Sequence, residues 1–389
     1  MPLPSQSNKI RSLPPYLFAE LDRKRRAVIA KGADVISLGI GDPDLPTPAH
    51  IVSAMQQAVT NPAYHTYPSY NGSTEYRQAA AAFVKKRFGV ELEPEREILG
   101  LIGSKEGLAN LPFAWIDAGD IALVPEPGYT VYASSTRFAG GTAVEMPLVE
   151  QNRYLPDLEA IAPDIRQRAK LIYINYPNNP TATIAPRSFL EKVVAFAEAH
   201  SLLIVSDNAY SEIYYDDQQR PMSILQIPGA KARSIELHSL SKTYNMTGWR
   251  VAFAIGSAEA IGALGKIKTN WDSGIFGAIQ SAAVTALTGP QDCVAQSRQI
   301  YRQRRDILVS ALTRMGLSFT IPEAAFYVWV KVPGGQPSIN FCTSVLEKAH
   351  VVITPGIGFG KSGEGYFRMT LTVNTERLKE ACERSRGIL

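Results

Sequence analysis

The segment Ser239-Leu240-Ser241-Lys242-Thr243-Tyr244-Asn245-Met246-Thr247-Gly248-Trp249-Arg250 sets one lysine among hydroxyls, with an arginine eight residues on. It links two short strand-like runs, 234–238 and 251–255. A lone lysine is ordinarily a solvated residue on a helix face. The surroundings of this one suit a different chemistry. An ammonium must lose its proton to attack a carbonyl, and partial burial plus nearby positive charge lowers its pKa. Hydroxyls and a guanidinium can hold a phosphate dianion, the arginine fork giving directional bonds. The pattern therefore fits a covalent lysine beside an anionic cofactor.

Three other segments suit the same kind of site. Ser206-Asp207-Asn208-Ala209-Tyr210 closes the apolar run 202–205. A carboxylate at the carboxyl end of a buried strand is costly unless a positive group pairs with it, and ligands of open α/β sheets bind at such strand ends. As a purely structural residue, Asp207 would instead cap the next element. Asn175-Tyr176-Pro177-Asn178-Asn179-Pro180-Thr181 follows the run 171–174, and its Asn-Pro pair marks a turn. Ile102-Gly103-Ser104-Lys105-Glu106-Gly107-Leu108 reads as a strand, a Gly/Ser turn and a helix start, an arrangement that points free N–H groups at an anion.

These segments must be positioned by the elements between them. Strand-like runs at 121–124, 171–175, 202–206, 234–238 and 251–255 alternate with helical stretches at 49–59, 74–88, 187–200 and 258–270. Such alternation predicts an α/β fold with a mostly parallel sheet flanked by helices. After an Arg-rich helix at 291–315 the order changes. Strands at 325–332, 351–353 and 366–371 and helices at 340–349 and 375–386 make an α+β pattern. We expect a large domain over 45–289 and a smaller α+β domain from 1–44 and 290–389, with a helix at 16–31 belonging to the smaller one.

Composition excludes several function classes. At 389 residues the chain buries about three quarters of its unfolded surface and needs no disulfide staples. Forty basic against 36 acidic residues give a net charge of only +4, and no basic run is long enough for a nucleic-acid footprint. Arg23-Lys24-Arg25-Arg26 reads as a solvated helix face. Cys293, Cys342 and Cys382 are widely spaced without CxxC, which argues against disulfide frameworks and zinc sites and fits a reducing, cytoplasmic setting. The first ten residues are polar and lack a secretory h-region, and no apolar run reaches the roughly 18 residues of a membrane span. The five histidines show no ligand spacing, so no metal is expected. There is no GxxxxGK[ST] and no GxSxG. Gly358-Phe359-Gly360-Lys361-Ser362-Gly363 matches GxGxxG, but a strand-like run follows where a dinucleotide site needs a helix, so it reads as a turn-rich loop.

The order of Gly/Ser turn, Asn-Pro-Thr, Asp-x-x-Tyr, Ser-x-x-Lys and Arg covers nearly the whole chain, and it resembles the class I/II pyridoxal-phosphate aminotransferases of the aspartate aminotransferase superfamily. Within that superfamily, Leu38-Gly39-Ile40-Gly41-Asp42-Pro43-Asp44, Tyr67-Pro68-Ser69-Tyr70-Asn71-Gly72 and the Lys242 segment are most similar to the branch acting on LL-diaminopimelate. The resemblance implies the fold type I architecture, pyridoxal 5′-phosphate as cofactor and a homodimer with active sites at the interface. Substrates would be small amino acids and 2-oxo acids. Neither nucleic acid nor membrane is a partner.

Residue by residue, the resemblance makes Lys242 the covalent lysine and proton shuttle. Asp207 would pair with the pyridine nitrogen and keep it protonated. Tyr210 and Asn179 would bond the ring's phenolic oxygen. Tyr129 would stack on the ring, or else pack as a core aromatic. Ser104, the Lys105 backbone, Ser239, Ser241 and Arg250 would hold the phosphate, joined by Tyr67 from the partner subunit, although Tyr67 also reads as a turn aromatic. Arg368, inside an apolar strand, would bind the substrate α-carboxylate or else form a structural salt bridge. Gly41 would let backbone approach the substrate, and Tyr16 would close over it.

Two departures bear on substrate. Ala182 stands where many relatives have glycine. The arginine that meets the distal carboxylate in aspartate-specific relatives is missing around Lys268-Thr269-Asn270-Trp271-Asp272-Ser273-Gly274. That disfavours a plain dicarboxylate and fits a distal end bearing both ammonium and carboxylate, read by Lys105 and polar groups near Asn270. The expected reaction is transamination between LL-diaminopimelate and 2-oxoglutarate, in lysine biosynthesis. Alternatives are transamination of alanine, aspartate or aromatic amino acids, or a lyase on the same fold.

Overall fold

A computed structural model describes residues 3–11 and 17–389. Seven strands form the main sheet: β1 Ile98–Leu101, β2 Ile121–Glu126, β3 Thr142–Pro147, β4 Ala169–Asn175, β5 Leu203–Asp207, β6 Ser234–Ser239 and β7 Ala252–Gly256. Their order is β1-β7-β6-β5-β4-β2-β3. Six run in one direction, and β7 is antiparallel to both of its neighbours. The expected mostly parallel α/β sheet is therefore present, with one reversed strand inside it.

Alternation along the strands divides the interior into two layers. Ile121 and Leu123 of β2 face one core with Ile172, Ile204 and Phe253. Ala122 and Val124 face the other with Leu171, Tyr173, Val205 and Leu237. Helices cover both faces, and their bounds track the sequence pattern closely: Thr74–Phe88 starts at a Ser73 cap and stops at left-handed Gly89. Strand β3 escaped the sequence reading. It is the sheet edge, with only its second and fifth residues buried, so its apolar signal is thin.

A third core gathers Ile36, Leu38, Tyr301, Leu308, Phe326, Val328, Phe367, Leu378 and Cys382. Its sheet has three antiparallel strands, β8 Tyr327–Lys331, β9 Thr354–Pro355 and β10 Tyr366–Thr370, ordered β9-β10-β8. Residues Ile36–Ser37 pair with Val351–Val352 and so bind the N-terminal segment to this unit. Lys24, on the helix Leu17–Ile29, donates to Thr343 (3.0 Å), as expected for a helix attached to the smaller core. The glycine-rich stretch at 358–363 forms two short 3₁₀ turns and no α-helix. Among the described residues no helix is long and apolar enough to cross a membrane, and no cluster of His, Cys, Asp or Glu could hold a metal.

The segment between the two units, which lines the site, is pinned by an ion pair between a buried arginine and a partly exposed aspartate. Arg304, on the long helix Asp292–Arg314, grips Asp44 through two bonds of 2.6 and 2.9 Å and also donates to the Leu371 carbonyl. Removing the carboxylate strands a buried guanidinium. Asp44→Ala is therefore expected to destabilise the protein by about 3–5 kcal/mol, read as a lower urea midpoint. An unchanged midpoint would show that the pair holds nothing in place.

Candidate active site

The carboxyl ends of the parallel strands open into one cavity of about 730 Å³. It is lined from the main sheet by Ser104, Lys105, Tyr129, Asn175, Asn179, Asp207, Tyr210, Ser239, Ser241, Lys242 and Arg250, and from the smaller unit by Tyr327, Phe359 and Arg368; Ile40, Gly41 and Asp42 complete the wall. Residues spread over more than 300 positions thus converge where an open α/β sheet places its ligands.

Lys242 lies in the one-turn helix Leu240–Thr243 directly after β6, half-buried, with Nζ donating to the Gly41 carbonyl at 3.1 Å. Its pKa is brought down to about 8, chiefly by burial, with Arg368 and Arg250 adding to the fall against Asp42 and Asp207. This is the direction that a nucleophilic amine requires.

Asp207 ends β5 and is 5% exposed. Oδ2 accepts from the Tyr132 hydroxyl at 2.7 Å, while buried Oδ1 has no well-formed hydrogen bond. Burial lifts the carboxyl to about 6, against the lowering effect of the Tyr132 bond, the Ala209 amide, His238 and Lys242. Asp207 is therefore no helix cap. It is a buried acid with one oxygen directed at unmet bonding, as a protonated ring nitrogen would require. Asn175, one strand over, fixes the backbone here by donating to the Asp207 carbonyl at 2.8 Å.

The anion turn follows β1. Gly103 has φ +112°, and a Cβ there would fall 2.1 Å from Arg250 Nη2, so only glycine lets the guanidinium close on the turn. Arg250, itself left-handed at φ +55°, donates to the Thr247 carbonyl. Beneath the turn, Glu106 accepts the Ile102 amide (2.6 Å) and fully buried Lys268 (2.9 Å), which also meets Asp272 (2.6 Å). Burial raises Glu106 to about 7 despite that lysine.

Arg368, on β10, donates to Asn179 Oδ1 and to the Gly39 carbonyl, both at 2.7 Å. The bond spends the oxygen of Asn179 and leaves its Nδ2 as the donor end. Tyr129 is half-buried and packs edge-on against Tyr132 at 5.7 Å, so it belongs to the wall and not to the core. Ala182 holds φ +63°, which explains the glycine of relatives at that turn.

The structure adds detail to several expectations. The space at Gly41 is taken by the protein itself: a Cβ would lie 2.3 Å from Tyr327 Oη. Tyr210 Oη sits 2.8 Å from Tyr327 Oη, a partner the sequence reading did not foresee. The Asn270 side chain bonds the Lys266 carbonyl of its own helix and does not line the cavity. Tyr67 is 87% exposed and lines a separate cleft with Tyr64 and Gln280, away from its own chain's cavity. Tyr16 lies outside the described residues. Tyr132 and Tyr327 were missed altogether. A phenol one turn after Tyr129, and a tyrosine inside an otherwise apolar strand, were the available signals, since a buried hydroxyl needs a partner.

The chain belongs to the class I and II aminotransferases, whose family description matches residues 33–384. It is a pyridoxal-phosphate-dependent aminotransferase. It is 54% identical over 379 residues, 97% of either chain, to the LL-diaminopimelate aminotransferase of Nitratidesulfovibrio vulgaris. Among solved structures it resembles substrate-bound BacF from Bacillus subtilis at TM-score 0.95 and 38% identity, covering 99% of this chain and 98% of that one. A Thermus thermophilus aspartate aminotransferase mutant superposes over the full length of both chains at TM-score 0.92 and 29% identity.

The raised Asp207 pKa has a consequence for the coenzyme-free protein. Its folded value, about 6, lies above the ordinary 3.8, so the folded state binds the proton more tightly. The stability this gives is complete below about pH 4 and is lost as pH rises through 6, amounting to about 3 kcal/mol. Asp207→Asn should remove that loss and be the more stable protein above pH 6 in urea titrations. Parallel pH profiles for the two proteins would contradict the assignment.

Proposed function

We propose that this chain transfers the amino group between LL-diaminopimelate and 2-oxoglutarate and so serves lysine biosynthesis; a 54%-identical relative is named LL-diaminopimelate aminotransferase. The observation that carries the site assignment is the convergence of Lys242 and Arg250, Asp207, and Arg368 on one cavity from three separate segments. We read 45–289 as the large domain, and 290–389 with the described part of 1–44 as the small one. The core around the three-stranded sheet supports that division, with Ala182, Ala209, Tyr210, Ile213 and Tyr215 of the large domain packing into it at the junction.

When bound, pyridoxal 5′-phosphate supplies an aldehyde that condenses with amines and a ring that draws electrons from the substrate Cα. Lys242 would hold the coenzyme through Nζ, and its free amine would move the proton at the substrate Cα. Its pKa near 8 keeps a usable share of neutral amine. Asp207 holds the proton on the ring nitrogen. Ser104, the Lys105 amide, Ser239, Ser241 and Arg250 hold the phosphate, with Tyr67 contributed by a partner subunit in a homodimer. Tyr129 covers the ring face, and Tyr210 and Asn179 Nδ2 donate to its phenolic oxygen. Arg368 orients the α-carboxylate. Lys105, exposed at the cavity wall, is the cation placed to meet a distal carboxylate. A cytoplasmic location fits this biosynthetic role.

Purified protein loaded with coenzyme is expected to form glutamate from LL-diaminopimelate and 2-oxoglutarate, and to turn over aspartate far more slowly. Absence of glutamate would refute the substrate assignment. Lys242→Ala should lower kcat by at least about 10⁴-fold, since it removes both the covalent link and the proton carrier. Turnover near wild type would place the chemistry on another residue.

A further inference from the structure

Tyr327 has no part in the roles above, yet three groups of the site meet on it. Its Oη is 2.8 Å from Tyr210 Oη. Its ring face carries the Arg368 guanidinium at 4.3 Å from the centroid. Its hydroxyl fills the space beside Gly41 that any larger residue would occupy. Tyr327 opens β8, in the smaller unit, whereas Tyr210 follows β5 of the main sheet. The hydroxyl pair is therefore a bridge between the two units, fully buried, with the rings set edge to face at 5.6 Å.

Two phenols that share one hydrogen bond have two arrangements. If Tyr210 donates to Tyr327, its only proton is spent and it cannot donate into the cavity. If Tyr327 donates, the Tyr210 proton is free, and an oxygen that accepts one hydrogen bond becomes a stronger donor of another. Burial pushes both phenols up, so both protons are retained. The charged and titratable groups that face Tyr327 are Arg368 from β10, Asp207 and Tyr210 from the end of β5, Asp42 from the segment beside Gly41, and Tyr301 from the long helix. The positive face of that set, Arg368, lies over the ring and not at the hydroxyl.

We propose that Tyr327 is a positioning residue with two separable tasks: its hydroxyl donates to Tyr210 and so commits the Tyr210 proton to the coenzyme's phenolic oxygen, while its ring holds the Arg368 guanidinium in place for the substrate carboxylate. The proposal rests on the reading in which Tyr210 meets that phenolic oxygen.

The test uses the coenzyme-loaded full chain and follows coenzyme absorbance against pH, together with kcat and KM for the amino donor. Tyr327→Phe keeps the ring and removes the hydroxyl. It should raise the midpoint of the spectral titration by about half a pH unit and lower kcat, with KM within about twofold of wild type. Tyr327→Leu removes both, and should raise the midpoint similarly and KM by about tenfold. Tyr210→Phe is the control and should raise the midpoint further. A wild-type midpoint in Tyr327→Phe, alongside a shifted one in Tyr210→Phe, overturns the proposal, and so does a Tyr327→Phe protein that loses only thermal stability. A midpoint unmoved in Tyr210→Phe refutes the underlying reading of Tyr210 and removes the proposal with it.

Discussion

The structure is organised around a carboxylate that has no business being buried alone. Asp207 ends a central strand, walled in by Tyr132 and the sheet, with one oxygen satisfied and the other not. A charge in such a place is tolerated only when something positive meets it. Without a ligand the molecule answers by holding the proton more tightly. In the proposed role, a protonated ring nitrogen would supply that positive partner, and the same carboxylate would anchor the coenzyme. The neighbouring groups are set around that placement: the Lys242 amine follows β6, one strand away, the Gly/Ser turn lies beyond it at the end of β1, and Tyr129 stands just before the helix Val131–Ala139 that delivers Tyr132.

A second constraint is that neither unit owns the site. The main sheet supplies the groups that would hold the coenzyme, and the smaller unit supplies Arg368. Specific contacts join them around the cavity. Lys242 donates to the Gly41 carbonyl, Arg368 to Asn179 and Gly39, and Tyr210 meets Tyr327. On the far side, Glu126 accepts from both the amide and the hydroxyl of Ser362, and Gly128 donates to the Phe359 carbonyl. The glycine-rich stretch at 358–363 thus serves as a seam between the units, which is why its dinucleotide-like spacing comes without a helix.

Much of this was legible in the sequence because the informative groups are local. Lys242, Asp207, Asn179 and Ser104 each lie at or within a few residues of the end of a strand-like run, and a strand end is where hydrophobic periodicity gives the sharpest boundary. The helices marked in the sequence end within two residues of the observed ones, but Val131–Ala139 and Gly277–Thr288 went unmarked. What stayed hidden depends on distance along the chain. Tyr132 finds its role 75 residues away at Asp207, and Tyr327 finds its own 117 residues away at Tyr210; in the sequence both look like core aromatics. The reversed direction of β7 leaves no mark on its apolar pattern. Gly41 was rightly singled out for close approach, but the approaching group is a side chain of this protein.

The central claim is that the Asp207 carboxylate keeps the ring nitrogen of the coenzyme protonated. The direct measurement is nitrogen NMR of the protein loaded with ¹⁵N-labelled pyridoxal 5′-phosphate, followed as pH is raised. The account requires the ring nitrogen to stay protonated to the alkaline limit of the protein's stability in the wild type, and to lose its proton in Asp207→Asn. A ring nitrogen that gives up its proton in the wild type as readily as in the free coenzyme would contradict it.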